Sequence, residues 1–293
     1  MSTPVNANRA APLPRDHEQE EGLQHLSYPT HHVAGRRAVD VHAVVEGPED
    51  APVLVLSPSL GSTHAMWEPQ AAALRDRFRV VRYDHRGHGA SPVPPGPYEL
   101  AELGADVLRL LDRLEVPAAH FCGLSLGGMT GMWLAAHAPE RVRRLVLCCT
   151  SARLGPPQFW DERADLLRRE GTAAVADGVV TRWFTPGWIQ AHPEAVRDMR
   201  AMVAATPAEG YASCCSAIRD MDLTDVLPCV HAKTLVIAGH EDPSTPPEHG
   251  QAIVEGIRDA RLELLSPAAH LANVEQPETI TRLLLEHLLG EEK

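Results

Sequence analysis

The residues best suited to catalysis are a serine, two carboxylates and a histidine. Each of them follows an apolar run of the chain. Ser125 lies in Gly123-Leu124-Ser125-Leu126-Gly127, a G-x-S-x-G pentapeptide at the end of the run AHFCGLS (119–125). Between a strand and a helix this motif is typical of a nucleophilic serine, because the sharp turn needs small neighbours and leaves the hydroxyl at a helix N-terminus. The motif and its context therefore predict Ser125 as a nucleophile.

A serine hydroxyl is a weak nucleophile near neutral pH, so it needs a general base, and the base needs an orienting carboxylate. The run KTLVIAG ends in His240-Glu241-Asp242-Pro243, where both carboxylates qualify. Asp242 is favoured over Glu241 because the proline-rich loop that follows it would hold it in place. His270, after the last apolar run, is the predicted base, whereas His240 is less suitable because it immediately precedes the acid.

Acyl transfer also needs an oxyanion hole, whose donors are backbone N–H groups. One donor is expected from Leu126, the residue after the nucleophile. The other should come from the loop after the run VLVLSPS (53–59). Pro58 has no N–H, so Leu60 is the predicted donor, with Gly61 allowing the backbone to approach closely.

The segment Asp84-His85-Arg86-Gly87-His88-Gly89-Ala90-Ser91 contains potential ligands for a metal or a phosphate. Its spacing matches neither a metal motif nor a P-loop. We therefore predict a structural loop in which Asp84 and Arg86 hold the turn by hydrogen bonds, and no metal site.

The elements that must position these residues alternate between apolar runs and helical patterns, which indicates βαβ units and a mostly parallel sheet. From 151 to 228 the alternation gives way to four helical stretches. We therefore predict a disordered tail at 1–35, an α/β core at 36–150 and 229–293, and a helical cap, or lid, at 151–228. Strands are predicted at 39–47, 53–59, 79–84, 119–125, 144–150, 233–242 and 261–267, and helices at 67–77, 100–114, 126–140, 247–257 and 278–289.

Composition excludes several classes of protein. The chain has 293 residues, a net charge of −12 and 44% hydrophobic residues, which argues against a disordered chain and against a nucleic-acid-binding surface. No apolar run reaches the ~18 residues that a membrane span needs. The six cysteines form no disulfide framework or zinc motif, and the N-terminal residues resemble no signal peptide. We expect a cytoplasmic protein that binds neither nucleic acid nor membrane.

Beyond these motifs, the chain resembles the α/β-hydrolase fold over about residues 38–290, and within it the 3-oxoadipate enol-lactonases. The resemblance to the enol-lactonases is strongest around Ser125, although that family has Asn where this chain has Pro58. The similar segments are LVLSPSLGSTHAMWEPQ, VVRYDHRGHGAS, FCGLSLGGMTGMWLAAHAPERVRRLVLCCTSA, FWDER and RWFT.

The resemblance implies a doubly wound, mostly parallel sheet with helices on both faces, and hydrolysis of a small anionic lactone by Ser125, Asp242 and His270 without a cofactor. The substrate carboxylate would be bound in the cap, where the candidates are Trp160, Arg163, Arg182 and Trp183. Other activities of the same fold remain open: a general esterase, a C–C bond hydrolase, a cofactor-free haloperoxidase or a non-enzymatic ligand-binding protein. The oligomeric state is not predicted.

Overall fold

A seven-stranded sheet forms the centre of the computed structural model, which describes residues 38–290; the predicted tail, 1–35, lies outside them. The strand order is β1-β3-β2-β4-β5-β6-β7. Only β1 runs antiparallel to its neighbour, β3, so the prediction of a mostly parallel sheet is confirmed. The strands are β1 (Ala43–Glu46), β2 (Val53–Ser57), β3 (Arg79–Tyr83), β4 (Ala119–Leu124), β5 (Val142–Cys148), β6 (Lys233–Gly239) and β7 (Ala260–Leu265).

The helices of the described chain cover both faces of the sheet. The path moves one way across the sheet from β2 to β3 and the other way from β3 onward, so right-handed crossovers place α1 on the face opposite α2, α3 and α9. Consistently, α1 packs on α11, whereas α2 packs on α3. The helices are α1 (Glu68–Leu74), α2 (Leu100–Arg113), α3 (Leu126–His137), α4 (Pro157–Glu170), α5 (Ala173–Trp183), α6 (Pro186–Ala191), α7 (Pro193–Ala205), α8 (Ala208–Asp220), α9 (Pro247–Gly256), α10 (Ala272–Glu275) and α11 (Pro277–Leu289).

Helix α3 lies in the core and is buried from Leu126 to Ala135. It packs against β2, β4 and β5 as well as α2. Strand β4, which leads into it, is buried at every position. The strand–helix junction that carries Ser125 is therefore anchored on both sides by buried structure.

Five helices, α4 to α8, lie between β5 and β6. Helix α4 packs on α8, and α5 packs on α7. The six-residue α6 and the four-residue α10 were not predicted as separate helices, because such short segments carry too few turns for a periodic apolar pattern. Within residues 38–290, we find no helix with the length and apolar character needed to cross a membrane.

Candidate active site

Ser125 occupies the sharp turn between β4 and α3. Its backbone has φ +56° and ψ −116°, a conformation that L-residues rarely adopt and that is costly unless the surroundings enforce it. The surroundings do so through two hydrogen bonds: the N–H of Ser125 donates to the carbonyl of Cys148 at 3.0 Å, and Thr150 Oγ1 donates to the carbonyl of Ser125 at 2.7 Å. The turn holds the serine in place before any ligand binds.

The two glycines of the motif are required by close backbone contacts. A Cβ atom on Gly123 would lie 2.1 Å from the carbonyl oxygen of Gly127, and a Cβ on Gly127 would lie 2.3 Å from the carbonyl oxygen of Ser57. Both distances are far below van der Waals contact. The G-x-S-x-G spacing is therefore a steric condition for packing β4, α3 and β2 together.

Asp242 and His270 meet at the carboxyl ends of β6 and β7. Nδ1 of His270 lies 2.8 Å from Oδ2 of Asp242, and both side chains are buried. Asp242 also accepts hydrogen bonds from the N–H groups of Ser244 and Thr245 and from Thr245 Oγ1, at 2.8, 3.1 and 2.8 Å. Burial alone would raise the pKa of Asp242, but His270 and these donors together hold the pKa below its ordinary value.

Glu241, the other carboxylate considered for the acid, has a different position. It accepts hydrogen bonds from Ser266 Oγ at 2.9 Å and from the Ala268 N–H at 2.8 Å, so it supports the loop that carries His270. His240 is exposed and lies beside Glu241. Of the two carboxylates, it is Asp242 that contacts His270.

Glu275 was not identified from the sequence, although it supports the same loop. Its carboxylate accepts a hydrogen bond from the Ala269 N–H at 2.8 Å. It also accepts hydrogen bonds from the N–H of Thr185, at 3.1 Å, and from the Thr185 hydroxyl. Glu275 thus connects the residue before His270 with the start of α6, a contact across 90 positions of sequence that no local pattern indicates.

The two predicted oxyanion donors, Leu60 and Leu126, come from separate segments of the chain. Leu126 is the first residue of α3, so its N–H has no acceptor within the helix. Leu60 lies in the loop after β2 and lines the same cavity as Ser125. Both are buried.

The segment 84–91 supports the loop that carries Leu60. Nε2 of His85 lies 3.0 Å from the carbonyl oxygen of Pro58, and Nε2 of His88 accepts a hydrogen bond from the Gly61 N–H at 3.0 Å. Burial lowers the pKa of His85 to about 3 and that of His88 to about 4, so both rings are neutral near pH 7. The segment has the structural role that the sequence predicted.

Asp84 and Arg86 make the hydrogen bonds expected of them, with partners that the sequence did not name. Asp84 accepts from the Ala90 N–H at 3.0 Å, within the loop, and from the His64 N–H at 2.7 Å. Arg86 donates to Asp106 on α2 at 2.6 and 2.7 Å. These contacts fasten the loop to its neighbours.

Asp84 also lies near two histidines that the sequence analysis did not group with it. One ligand atom each of His42, His64 and Asp84 falls within 4.8 Å of the others. Nδ1 of His64 already lies 2.8 Å from Asp84 Oδ1, and that oxygen also accepts the His64 N–H. The backbone N–H of Asp84 also donates to the carbonyl of His42 at 3.0 Å, so hydrogen bonds hold Asp84 beside both histidines.

A cavity lies between the cap helices and the ends of the strands. It brings Ser125, His270 and Leu60 together with all four predicted cap residues. The sequence analysis did not identify the other lining residues, because they come from separate loops and helices. The cavity is lined by Ser59, Leu60, Ser125, Leu154, Trp160, Arg163, Val179, Arg182, Trp183, Tyr211, Ile218, Ser244, Thr245 and His270.

Arg163 and Arg182 place two guanidinium groups at this cavity. Within residues 38–290, neither forms an ion pair with a carboxylate. Arg163 Nη2 donates to the hydroxyl of Tyr211 at 2.7 Å, while its buried Nε has no hydrogen-bond partner in the described chain. Burial lowers the pKa of Arg182, and Arg163 beside it lowers that pKa further. Two neighbouring cations without a counter-ion favour an anionic ligand.

Comparison with known proteins identifies the family of the chain. A family model described as the alpha/beta hydrolase fold matches residues 52–277. The chain belongs to the α/β-hydrolase family. The prediction of this fold is thereby confirmed.

Several individual α/β-hydrolases are similar to the chain over most of its length. The 3-oxoadipate enol-lactonase 2 of Acinetobacter baylyi is 46% identical over 79% of this chain and 86% of its own length. The crystal structure of the enol-lactonase from Burkholderia xenovorans superposes with a TM-score of 0.84 at 42% identity, over 86% of this chain and 99% of that chain. RutD of Stutzerimonas stutzeri, named for carbamate hydrolysis, is 31% identical over 82% of this chain and 92% of its own length. The protein is an enzyme of the hydrolase class.

Proposed function

We propose that this α/β-hydrolase cleaves 3-oxoadipate enol-lactone to 3-oxoadipate through an acyl-enzyme on Ser125. One observation carries the proposal: a buried serine, a histidine bonded to a buried aspartate, and two arginines without carboxylate partners in the described chain meet at one cavity, which Ser125, His270, Arg163 and Arg182 line. The serine, the histidine and the aspartate suit acyl transfer. The guanidinium groups suit a substrate that carries a carboxylate, as this lactone does.

The first half of the reaction follows from the contact between His270 and Asp242. Because Nδ1 of His270 is bonded to Asp242, the other ring nitrogen, Nε2, is available as the base. Nε2 takes the proton of Ser125 as Oγ attacks the lactone carbonyl. The N–H groups of Leu60 and Leu126 stabilise the tetrahedral oxyanion, and each such donor contributes roughly 10²–10³ in rate.

The second half releases the product. Collapse of the intermediate breaks the ring ester bond, and the leaving group is an enolate, which is a weaker base than an alkoxide. The imidazolium of His270 gives its proton to the enolate, which becomes the ketone, and His270 is neutral again. His270 then deprotonates a water molecule, hydroxide attacks the acyl-enzyme, and 3-oxoadipate leaves with Ser125 restored. The proposed steps use only side chains, backbone groups and water.

The cap residues orient the substrate in the cavity. Arg163 and Arg182 bind the carboxymethyl group of the lactone, while Trp160 and Trp183 contact its ring. Nε1 of Trp160 is occupied by the carbonyl of Leu154 at 3.1 Å, so this side chain offers its apolar face to a ligand. Binding the carboxylate at the cap places the ester carbonyl toward the serine and the core loops.

The deciding experiment follows the loss of ultraviolet absorbance of the enol-lactone with the wild-type enzyme and with Ser125→Ala, alongside a neutral 4-nitrophenyl ester. We expect rapid lactone loss that exceeds ester cleavage and falls by at least about 10⁴-fold in the variant. Ester cleavage without lactone turnover would contradict the proposed substrate while leaving a serine hydrolase in place.

A further inference from the structure

A second cavity lies on the outer side of the cap, between α4 and α5. It has a volume of about 660 Å³ and opens to solvent. Most of its wall is apolar, and Phe159 on that wall is 44% exposed. The groove is lined by Phe159, Glu162, Arg163, Leu166, Ala174, Val175, Gly178 and Arg182.

Arg163 and Arg182 line this outer groove and the active-site cavity alike. Both residues are half-buried, as is expected of side chains that separate an inner space from an outer one. The same two arginines therefore border both the solvent-facing groove and the cavity that contains Ser125.

The reactive groups lie below the surface, so a ligand needs a route to them from solvent. Ser125 is 8% exposed and His270 is 4% exposed. The route must also attract an anion to a protein whose net charge is −12, which repels anions at long range. A local pair of cations at a constriction counteracts that repulsion and concentrates anions there.

We propose that the groove between α4 and α5 is an entry vestibule, in which the carboxylate of the substrate first meets Arg163 and Arg182 before the ring passes into the active-site cavity. The anionic character of the ligand rests on the proposed function. The apolar wall formed by Phe159, Leu166 and Val175 receives the ring. Among the described residues, Glu162 is the one carboxylate that lines the groove. It is exposed and accepts a hydrogen bond from Gln158, on its own helix, at 2.8 Å.

Gly178 offers a way to close the vestibule without touching the active site. It lies on the exposed face of α5, and a Cβ added there meets no atom within 4 Å. Gly187, on α6, is also exposed and equally free of neighbours, but it lines a different surface depression. Gly178→Cys and its control Gly187→Cys therefore each introduce an exposed thiol on a cap helix, the first in the groove and the second outside it. Both are made in a Cys229→Ser background, since Cys229 is the exposed cysteine while the other five are buried.

Each thiol is modified with benzyl methanethiosulfonate and then released with dithiothreitol. Both the enol-lactone and the 4-nitrophenyl monoester of succinic acid serve as substrates. We expect benzylation at position 178 to lower kcat/KM by about tenfold or more with either substrate, the smaller methyl adduct to have a weaker effect, and reduction to restore the activity. Benzylation at position 187 should change kcat/KM less than about twofold.

The outcomes separate this inference from the proposed function. If the wild-type enzyme cleaves the succinate ester but not the lactone, the proposed substrate is wrong, and the ester still tests the vestibule. If benzylation at 178 has no greater effect than benzylation at 187, the vestibule is wrong whatever the substrate. A loss that dithiothreitol does not reverse, with a lowered Tm, would show damage to the cap and would also contradict the inference.

Discussion

The backbone N–H of Gly61 donates a hydrogen bond to Nε2 of His88 over 3.0 Å. Gly61 directly follows Leu60, the proposed oxyanion donor, so a buried imidazole sets the orientation of the peptide beside the oxyanion hole. The acceptor must be a neutral ring nitrogen, and burial keeps His88 neutral by lowering its pKa to about 4. This contact explains why the segment 84–91 contains histidines although it binds no substrate in the proposed mechanism.

His88→Ala should therefore lower kcat by about tenfold or more and leave KM nearly unchanged, because the loop loses its acceptor while the cap pocket is untouched. His88→Gln retains an acceptor oxygen and should recover most of the activity. Steady-state kinetics on the lactone measure both. His231→Ala, at an exposed position, is the control. Equal activity in His88→Ala and His231→Ala would contradict the role of the contact.

The same histidine should make the stability depend on pH. Its pKa is about 4 in the folded protein against an ordinary 6.5, so between these values the unfolded chain binds the proton more readily. The free energy of unfolding should then be highest above about pH 6.5 and should fall as pH decreases toward 4, with His88 contributing up to about 2–3 kcal/mol. Urea unfolding of wild type and His88→Gln at several pH values tests this. Parallel curves for the two proteins would be inconsistent with the assignment.

Asp242 and Glu241 provide a matched pair of carboxylates at adjacent positions. Asp242→Asn should lower kcat by about 10³–10⁴-fold, because the amide no longer selects the imidazole tautomer that leaves Nε2 as the base. Glu241→Gln should cost far less, since Glu241 contacts the loop through Ser266 and Ala268 rather than His270. Comparable losses in the two variants would mean that Asp242 acts only through the loop's structure.

The guanidinium pair should determine selectivity for charged substrates. Arg182→Ala should raise KM for the anionic lactone by about 10- to 100-fold and change KM for a neutral 4-nitrophenyl ester little, as expected for the loss of a charge-assisted contact. Arg168→Ala removes a cap arginine that is paired with Glu209 and serves as the control. An equal rise for both substrates would exclude carboxylate binding by Arg182.

Short sequence patterns were sufficient to predict the features that depend on residues close together in the chain. The buried strands follow from short apolar runs. The sharp turn that carries Ser125 follows from Gly123 and Gly127, because close backbone contacts leave no room for a side chain at either position. Ser125, Asp242 and His270 each follow an apolar run that predicts a strand. Because the carboxyl ends of parallel strands meet at one edge of a sheet, the sequence predicts that the three residues lie at the same edge.

Other features depend on contacts between residues that are distant in sequence, and only the tertiary structure decided them. Asp242 rather than Glu241 contacts His270 because successive side chains point in different directions after β6. Arg163 and Arg182 are neighbours because α4 packs against α5. The hydrogen bond from the Ala269 N–H to Glu275 results from the path of the chain after β7. A sequence shows which residues can form such contacts, but the packing of helices and loops determines which of them meet.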